Sequence, residues 1–259
     1  RCGPAGERVR ANLVDWNEVI MRLILILMLI APFGVFCLML TLFSNMGFTA
    51  IADLIKYFMT VVGVLVLHFL LTYSMMVRFV ADLNPIRFYR NFLPVIAYAF
   101  STSSSNATLP VTMETVEQRL GVRNEVASFT VPLGATINMD GTSLYQAVAA
   151  VFIAQAFGID LSIGAQLGII ATATLASIGS AAVPGAGMVM LVIVLAQAGI
   201  PEAGLALIFA VDRPLDMCRT TVNVTGDAAV SVMVAKSVDM MGPPNVKEWD
   251  DEYAKTHKK

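Results

Sequence analysis

The sequence predicts an all-α protein that crosses a membrane several times, its transmembrane helices accompanied by two re-entrant helical hairpins in an inverted repeat. Three observations carry this. The 259 residues are 57% hydrophobic and only 14% charged, against roughly 25% charged and 45–50% apolar in a soluble domain. Residues 161–201 run for 41 positions without an Asp, Glu, Lys or Arg, about twice the ~20 that cross a bilayer. Two uncharged stretches carry small or hydroxyl-bearing residues at mid-length, each closed by a proline: Thr108-Leu109-Pro110 and Ala182-Val183-Pro184.

The same arithmetic excludes other classes. A net charge of -2, with 17 Lys plus Arg forming no stripe, lacks the footprint of a nucleic-acid binder. The three cysteines, Cys2, Cys37 and Cys218, form no disulfide framework, and two histidines make a His-based metal centre implausible. The serine cluster finds no Ser/His/Asp arrangement when the histidines are His68 and His257, so no enzyme is expected. The chain begins Arg1-Cys2-Gly3 without Met or a signal pattern, which reads as part of a longer polypeptide.

Taken in order, residues 23–43 and 57–77 are simple spans of 21 residues without a formal charge. Arg1, Arg8, Arg10 and Arg22 precede the first and Arg78, Arg87 and Arg90 follow the second, which places both outer flanks in the cytoplasm. The stretch 91–113 carries seven hydroxyl or amide side chains within residues 101–110. Irregular backbone is tolerated at membrane depth only where it lines a cavity, so a hairpin of two half-helices, each of about 10 residues and roughly 15 Å, is expected. Residues 114–125 then form a charged cytoplasmic loop. A span over 126–157 is interrupted by Gly134, Asn138, Asp140 and Gly141. The second hairpin occupies 162–199 around the tip 177–187, with two full helices joined by a Gly-Pro turn as the alternative. A last span covers about 204–235, before a charged tail. The domains expected are 1–90, a cytoplasmic lead-in with two scaffold-side helices; 91–238, the core; and 239–259, the tail.

Each proline-closed tip is followed by a helix carrying Asn and Asp: Asn138 and Asp140, then Asn223 and Asp227. Paired interrupted segments of this kind point to a transporter site at the midplane. Asp212, Asp216, Arg219, Thr220, Asn223 and Asp227 fall at offsets 0, 4, 7, 8, 11 and 15, which is one helical face. Each ionisable group in a membrane costs about 2.5–3.5 kcal/mol even on the lenient insertion scale, and so signals function. A guanidinium suits a carboxylate and an Asp suits an ammonium, so Arg219 with Asp216 reads as a receptor for an acidic amino acid. The plainer alternative is an i,i+3 ion pair between them. Half-helix N-termini at the tips add N–H donors. Asn138-Met139-Asp140-Gly141-Thr142 offers oxygen ligands for a hard monovalent cation. His68 reads as a hydrogen-bonded packing histidine rather than a proton relay.

The strings SSSNATLP, NMDGT, SIGSAAVPGAG and DMCRTTVNVTGD occur in this order. Over about residues 7–238 the chain resembles the dicarboxylate/amino acid:cation symporter family of glutamate transporters. The resemblance implies a homotrimer in which a mobile transport domain moves like an elevator against a scaffold, with the first four helices absent from this chain. It places substrate contacts on Ser104, Ser105, Thr142, Val183, Pro184, Gly185, Ala186, Gly187, Asp216, Arg219, Thr220 and Asn223. Asp216 would take the amino group and Arg219 the side-chain carboxylate. Sodium ligands would be Gly134, Asn138, Asn223 and Asp227 for one ion, Thr136, Ser177, Ile178 and Ser180 for a second, and Asn138 with Asp140 for a third that also draws on a missing helix. Ser103 and Met217 stand where archaeal and animal members, respectively, carry an additional Arg, and Gln146 where animal members carry an acid.

The expectation is a symporter of aspartate, glutamate or related dicarboxylates in the inner (plasma) membrane, surrounded by lipid and coupled to sodium or protons, with no organic cofactor. A proton-coupled C4-dicarboxylate transporter is the alternative in the same class, and an ion channel the alternative in another.

Overall fold

A computed structural model describes residues 3–46 and 49–242. Every named element among them is helical, and the sole extended pairing is an isolated antiparallel bridge between Val122 and Met241. The chain divides into two compact units, Arg1–Ala50 and Ile51–Lys259.

In the first unit, α1 is a single helix, Gly3–Met46, of 44 residues. The charged lead-in therefore continues into the expected span at 23–43 without a break. After Gly6 nothing between residues 7 and 22 breaks a helix, and Glu18 pairs with Arg22 one turn on at 2.6 Å, the favourable orientation of such a pair.

The second unit begins in α2, Thr49–Leu67, which continues through a π-helical turn at His68–Thr72, a short α3 at Tyr73–Met75 and a second π-helical turn at Met76–Val80. The run Ala52–Val80 is, among the described residues, the helix long and apolar enough to cross a membrane, and it contains the span expected at 57–77. Single π turns concentrate at functional sites because they re-aim side chains; here the first turn lies beside His68 and Tyr73.

The first hairpin is α4, Pro85–Thr102, against α5, Ser105–Gln118. Its arms of 18 and 14 residues, roughly 27 and 21 Å long, exceed the half-helices expected, and only Ser103 and Ser104 separate them. The hydroxyl-rich run does not unwind because its side chains hydrogen-bond back onto the helix. Ser101, Thr102, Thr108 and Thr112 donate to the carbonyls of Ala97, Tyr98, Ser104 and Thr108 at 2.7–3.0 Å, the i−4 pattern open to Ser and Thr. Glu114 and Glu117 accordingly lie on α5 rather than in a loop.

The interrupted span is α6, Asn124–Ile137, and α7, Asp140–Ala156, broken at Asn138-Met139. The second hairpin is α8, Ile163–Ile178, and α9, Ala186–Gln197, joined by residues 179–185. After a 3-10 turn at Glu202–Gly204, α10 runs unbroken from Leu205 to Ser237 over 33 residues, through Pro214. Of the charged tail, residues 239–242 lie within the described residues.

α4, α5, α6 and α7 all pack on α10. The buried contacts are rich in small side chains, among them Ala99, Ala127, Ala135, Ala149, Ala150, Ala228 and Ala229, which let helix axes approach closely. The chain beyond α5 is tied to the far end of α10: Arg123 N–H donates to Met240 at 3.1 Å and Gly242 N–H to Gly121 at 2.7 Å. The second hairpin opens at the other end, where α9 leads into the 3-10 turn that starts α10. The first hairpin thus packs along α10 from one end, the second enters from the other end packed chiefly on α7, and their tips meet near the middle of α10. There Ser104 Oγ and Asn106 N–H both donate to the Ala182 carbonyl, at 2.9 and 3.3 Å.

Candidate functional site

Where the tips meet, one cavity is lined from four directions. The first tip gives Ser103 and Ser105, the second gives Ser180, Ala181, Ala182 and Val183, the break gives Met139, and α10 gives Asp216, Thr220 and Asn223; Thr142 and Gly187 complete it. Seven residues expected to touch substrate therefore line one cavity: Ser105, Thr142, Val183, Gly187, Asp216, Thr220 and Asn223. Ser104, Pro184, Gly185, Ala186 and Arg219 stand off it.

The displaced residues have structural employment. Ser104 caps α5, its hydroxyl accepting from Ala107 N–H at 3.2 Å. Gly185 N–H donates to Asp216 Oδ2 at 2.9 Å, so the backbone of the second tip occupies the carboxylate expected to receive an ammonium. Ser103 had no expected contact, yet its buried hydroxyl lines the cavity without a partner among the described residues. Its left-handed backbone, φ 52°, makes the turn that separates α4 from α5, a feature that hydropathy does not reveal.

All six polar residues on the expected face of α10 are buried. Arg219 is fully buried and its guanidinium lies 3.7 Å from the centroid of the Tyr145 ring, within cation–π range. Its Nη2 donates to Asp216 Oδ1 at 2.8 Å, so the i,i+3 pair does form. Nη1 sits 3.1 Å from Asp212 Oδ1, a close ion pair whose angle is too poor for a hydrogen bond, which leaves Nη1 and Nε without acceptors. Buried donors without acceptors are costly, and a ligand carboxylate would satisfy them.

Asn223 organises the neighbouring wall. Its Oδ1 accepts from Gly141 N–H at 2.8 Å and its Nδ2 donates to Thr142 Oγ1 at 3.1 Å. The residues expected around the first cation also converge. Asn138 Nδ2 donates to Asp227 Oδ1 at 2.9 Å and to the Asn223 carbonyl at 3.2 Å. Gly134 lies so close that a Cβ there would stand 2.5 Å from Asp227 Oδ1, and a Cβ on Gly226 would meet Asn138 Nδ2 at 2.5 Å and the Tyr73 hydroxyl at 2.7 Å. Glycine is needed at both positions because side chains from other helices fill the space.

The second set is not joined. Thr136 is exposed and its hydroxyl donates to the Pro132 carbonyl at 3.0 Å, Ile178 is exposed, and Ser177 donates to Thr174 at 2.8 Å. Among the described residues no hydrogen bond connects Thr136 to residues 177–180, although Ser180 N–H does bond the Ser177 carbonyl at 3.0 Å.

Asp140, expected at the third cation, is held from a direction that sequence did not suggest. Its Oδ2 is 2.7 Å from His68 Nε2 and accepts from the Tyr73 hydroxyl at 2.5 Å, and its Oδ1 accepts from Gly141 N–H at 3.0 Å. Thr72 Oγ1 lies 3.2 Å from His68 Nδ1; with that hydroxyl as donor, Nε2 carries the proton and donates to Asp140. The π turn after Leu67 brings these side chains onto the break between α6 and α7.

A family model described as the sodium:dicarboxylate symporter family matches residues 1–237. The chain is 44% identical over 219 residues to an excitatory amino acid transporter of Caenorhabditis elegans, covering 83% of this chain and 43% of that protein. It is 42% identical over 226 residues to excitatory amino acid transporter 1 of Mus musculus, covering 86% and 41%. It is 40% identical over 237 residues to excitatory amino acid transporter 5 of Homo sapiens, covering 91% and 42%. The chain thus spans less than half the length of these relatives. With a match across nearly its whole length, the chain belongs to the sodium:dicarboxylate symporter family.

Proposed function

We propose that the chain forms the substrate- and cation-handling part of a secondary transporter that couples sodium entry to uptake of aspartate or glutamate. The observation that carries this is the cavity between the two tips, with Asp216 on its wall, Arg219 directly behind, and unsatisfied guanidinium N–H groups waiting for a carboxylate. The names of the relatives, excitatory amino acid transporters, support the substrate class.

Substrate would bind by exchange. Its ammonium displaces Gly185 N–H from Asp216, its side-chain carboxylate takes the free donors of Arg219, and Ser103, Ser105, Thr142, Thr220 and Asn223 surround the rest. Sodium ions would sit in the oxygen-rich cluster of Gly134, Asn138, Asn223 and Asp227, and near Asn138 with Asp140. A further ion would need Thr136 to approach Ser177, Ile178 and Ser180, a movement of the second tip. Burying cation charge beside Asp227 and Asp140 offsets the cost of placing carboxylates at membrane depth. Coupling follows if the second tip seals only when ligand and cations are all present or all absent.

The hairpins are read as re-entrant, one from each side of an inner (plasma) membrane, because their open ends lie at opposite ends of α10 and their tips meet midway. The mobile core, moving as an elevator in a lipid-embedded homotrimer, would extend past the expected 91–238 toward the N-terminus, because α4 starts at Pro85 and His68 and Tyr73 bond Asp140. Residues 239–259 would be a cytoplasmic tail, matching the tie between residues 121–123 and 240–242. The test is Arg219→Cys in the intact native protein: aspartate uptake efficiency should fall about 100-fold or more while uptake of neutral amino acids persists or appears. Retained affinity for acidic substrates would contradict the reading.

A further inference from the structure

The reading above assigns Asp216 and Arg219 to substrate but leaves Asp212 without a part, although it is 8% exposed and stands 3.1 Å from Arg219. We infer that Asp212 is a specificity-determining residue, which balances Arg219 from behind and so makes the site demand an ammonium group, selecting amino acids over plain dicarboxylates. The inference rests on Asp216 and Arg219 being the substrate contacts proposed above.

Two carboxylates flank one guanidinium beside the cavity: Asp212 behind it on Nη1, Asp216 on the cavity wall on Nη2, and Arg219 between them, with Tyr145 stacked on its plane. Arg213 reaches Asp216 only at 4.0 Å and is half exposed, so water screens it. Two carboxylates therefore face one buried cation. With Asp212 charged, Arg219 is already matched, and Asp216 has only the neutral N–H of Gly185 besides. An incoming aspartate brings an ammonium to Asp216 together with two carboxylates, one of them to Arg219, and so adds a single net negative charge where two carboxylates already share one guanidinium. Succinate brings the same carboxylates and no cation, and leaves Asp216 buried against excess negative charge, an arrangement that is strongly penalised away from water.

Asp212 also holds the guanidinium in place. Nη1 is kept 3.1 Å from Asp212 on one side, while Nε and the rest of Nη1 stay unsatisfied, so the carboxylate fixes the fork without consuming its donors. It is a positioning residue that touches Arg219 and does not line the cavity.

The test uses the intact native protein in proteoliposomes with an inward sodium gradient. The KM for labelled L-aspartate is compared with the succinate concentration that halves its uptake. Asp212→Asn keeps the shape and removes the charge, and the ratio of succinate to aspartate half-saturation should fall tenfold or more. Asp212→Glu keeps the charge and should hold the native ratio even if overall rates drop. A merely structural role would lower uptake without moving the ratio. An unchanged ratio in Asp212→Asn, or an equal shift in Asp212→Glu, would overturn the inference while leaving the transport reading intact. Absence of sodium-driven aspartate uptake by the unsubstituted protein would instead defeat that reading, and the inference with it.

Discussion

The two halves of the core start from the same sequence device and build different objects. In the first, two residues separate α4 from α5, and Ser103 and Ser104 are held by their own hairpin: Ser103 N–H bonds Ala99 at 2.9 Å, and Ser104 caps α5 while accepting from Thr108. In the second, residues 179–185 separate α8 from α9, and α9 starts without a side-chain cap. This tip has internal bonds from Ser180 N–H to Ser177 and from Ala186 N–H to Val183, and is also held from outside, by Asp216 on Gly185 N–H, by Gln146 Nε2 on the Gly187 carbonyl at 3.0 Å, and by Ser104 on Ala182. A self-capped turn is a fixed wall. On the function proposed above, a turn held by a group that the ligand also wants is the one that must rearrange on binding, which would make the second tip the gate.

The helices that follow the tips differ in the opposite sense. α6 and α7 are broken at Asn138-Met139, while α10 continues through Pro214. The break turns the Asn138 side-chain amide and the Gly141 N–H toward Asp227 and Asn223, and the unbroken helix keeps its six polar residues in register to receive them.

This contrast is open to attack at several points. The largest effect after that of Arg219 is expected at the seam between the halves. Gly226→Ala would drive a methyl group into Asn138 and Tyr73, with an overpacking cost of about 1–3 kcal/mol; thermal unfolding in detergent should show a clearly lowered Tm, and an unchanged Tm would mean the seam is looser than described. Next is His68→Ala, which removes one support of Asp140. Outer partners of ion ligands typically matter by roughly 10–100-fold, so the sodium concentration for half-maximal uptake should rise by about tenfold, with aspartate KM at saturating sodium little changed. Equal shifts in both would show that His68 supports the fold rather than Asp140. The smallest is Ser104→Ala, which removes a helix cap worth about 1 kcal/mol together with one tie to the second tip. It should lower Tm modestly and raise the exchange rate of the backbone amides at 182–187 more than those at 99–103. Greater loosening of the first tip would reverse the assignment of wall and gate.

Much of this was legible in the residues, for identifiable reasons. Charge-free runs located both hairpins, although Pro110 lies within α5 rather than closing the first tip, and the helical spacing of Asp212 through Asp227 located the buried face of α10. The narrowness of the first tip was not legible, since hydroxyl side chains that break a helix in one setting bond back to the i−4 carbonyl in another. His68 read correctly as a hydrogen-bonded histidine, but its partner Asp140 and the part of Tyr73 were not legible. Their hold on Asp140 depends on a π turn and on a separation of about seventy residues, neither of which leaves a local pattern. Asp212 showed its place on the face, but only the geometry shows that it shares Arg219 with Asp216.

The central claim is sodium-coupled uptake of an acidic amino acid, and the most direct test is uptake of labelled L-aspartate into proteoliposomes of the intact native protein, with an inward sodium gradient, a proton gradient, or neither. Accumulation driven by sodium alone is the predicted result. Accumulation driven only by protons would contradict the assignment of Asn138, Asp140, Asn223 and Asp227 to sodium, and absence of gradient-driven uptake under every condition would contradict the acidic amino acid reading itself.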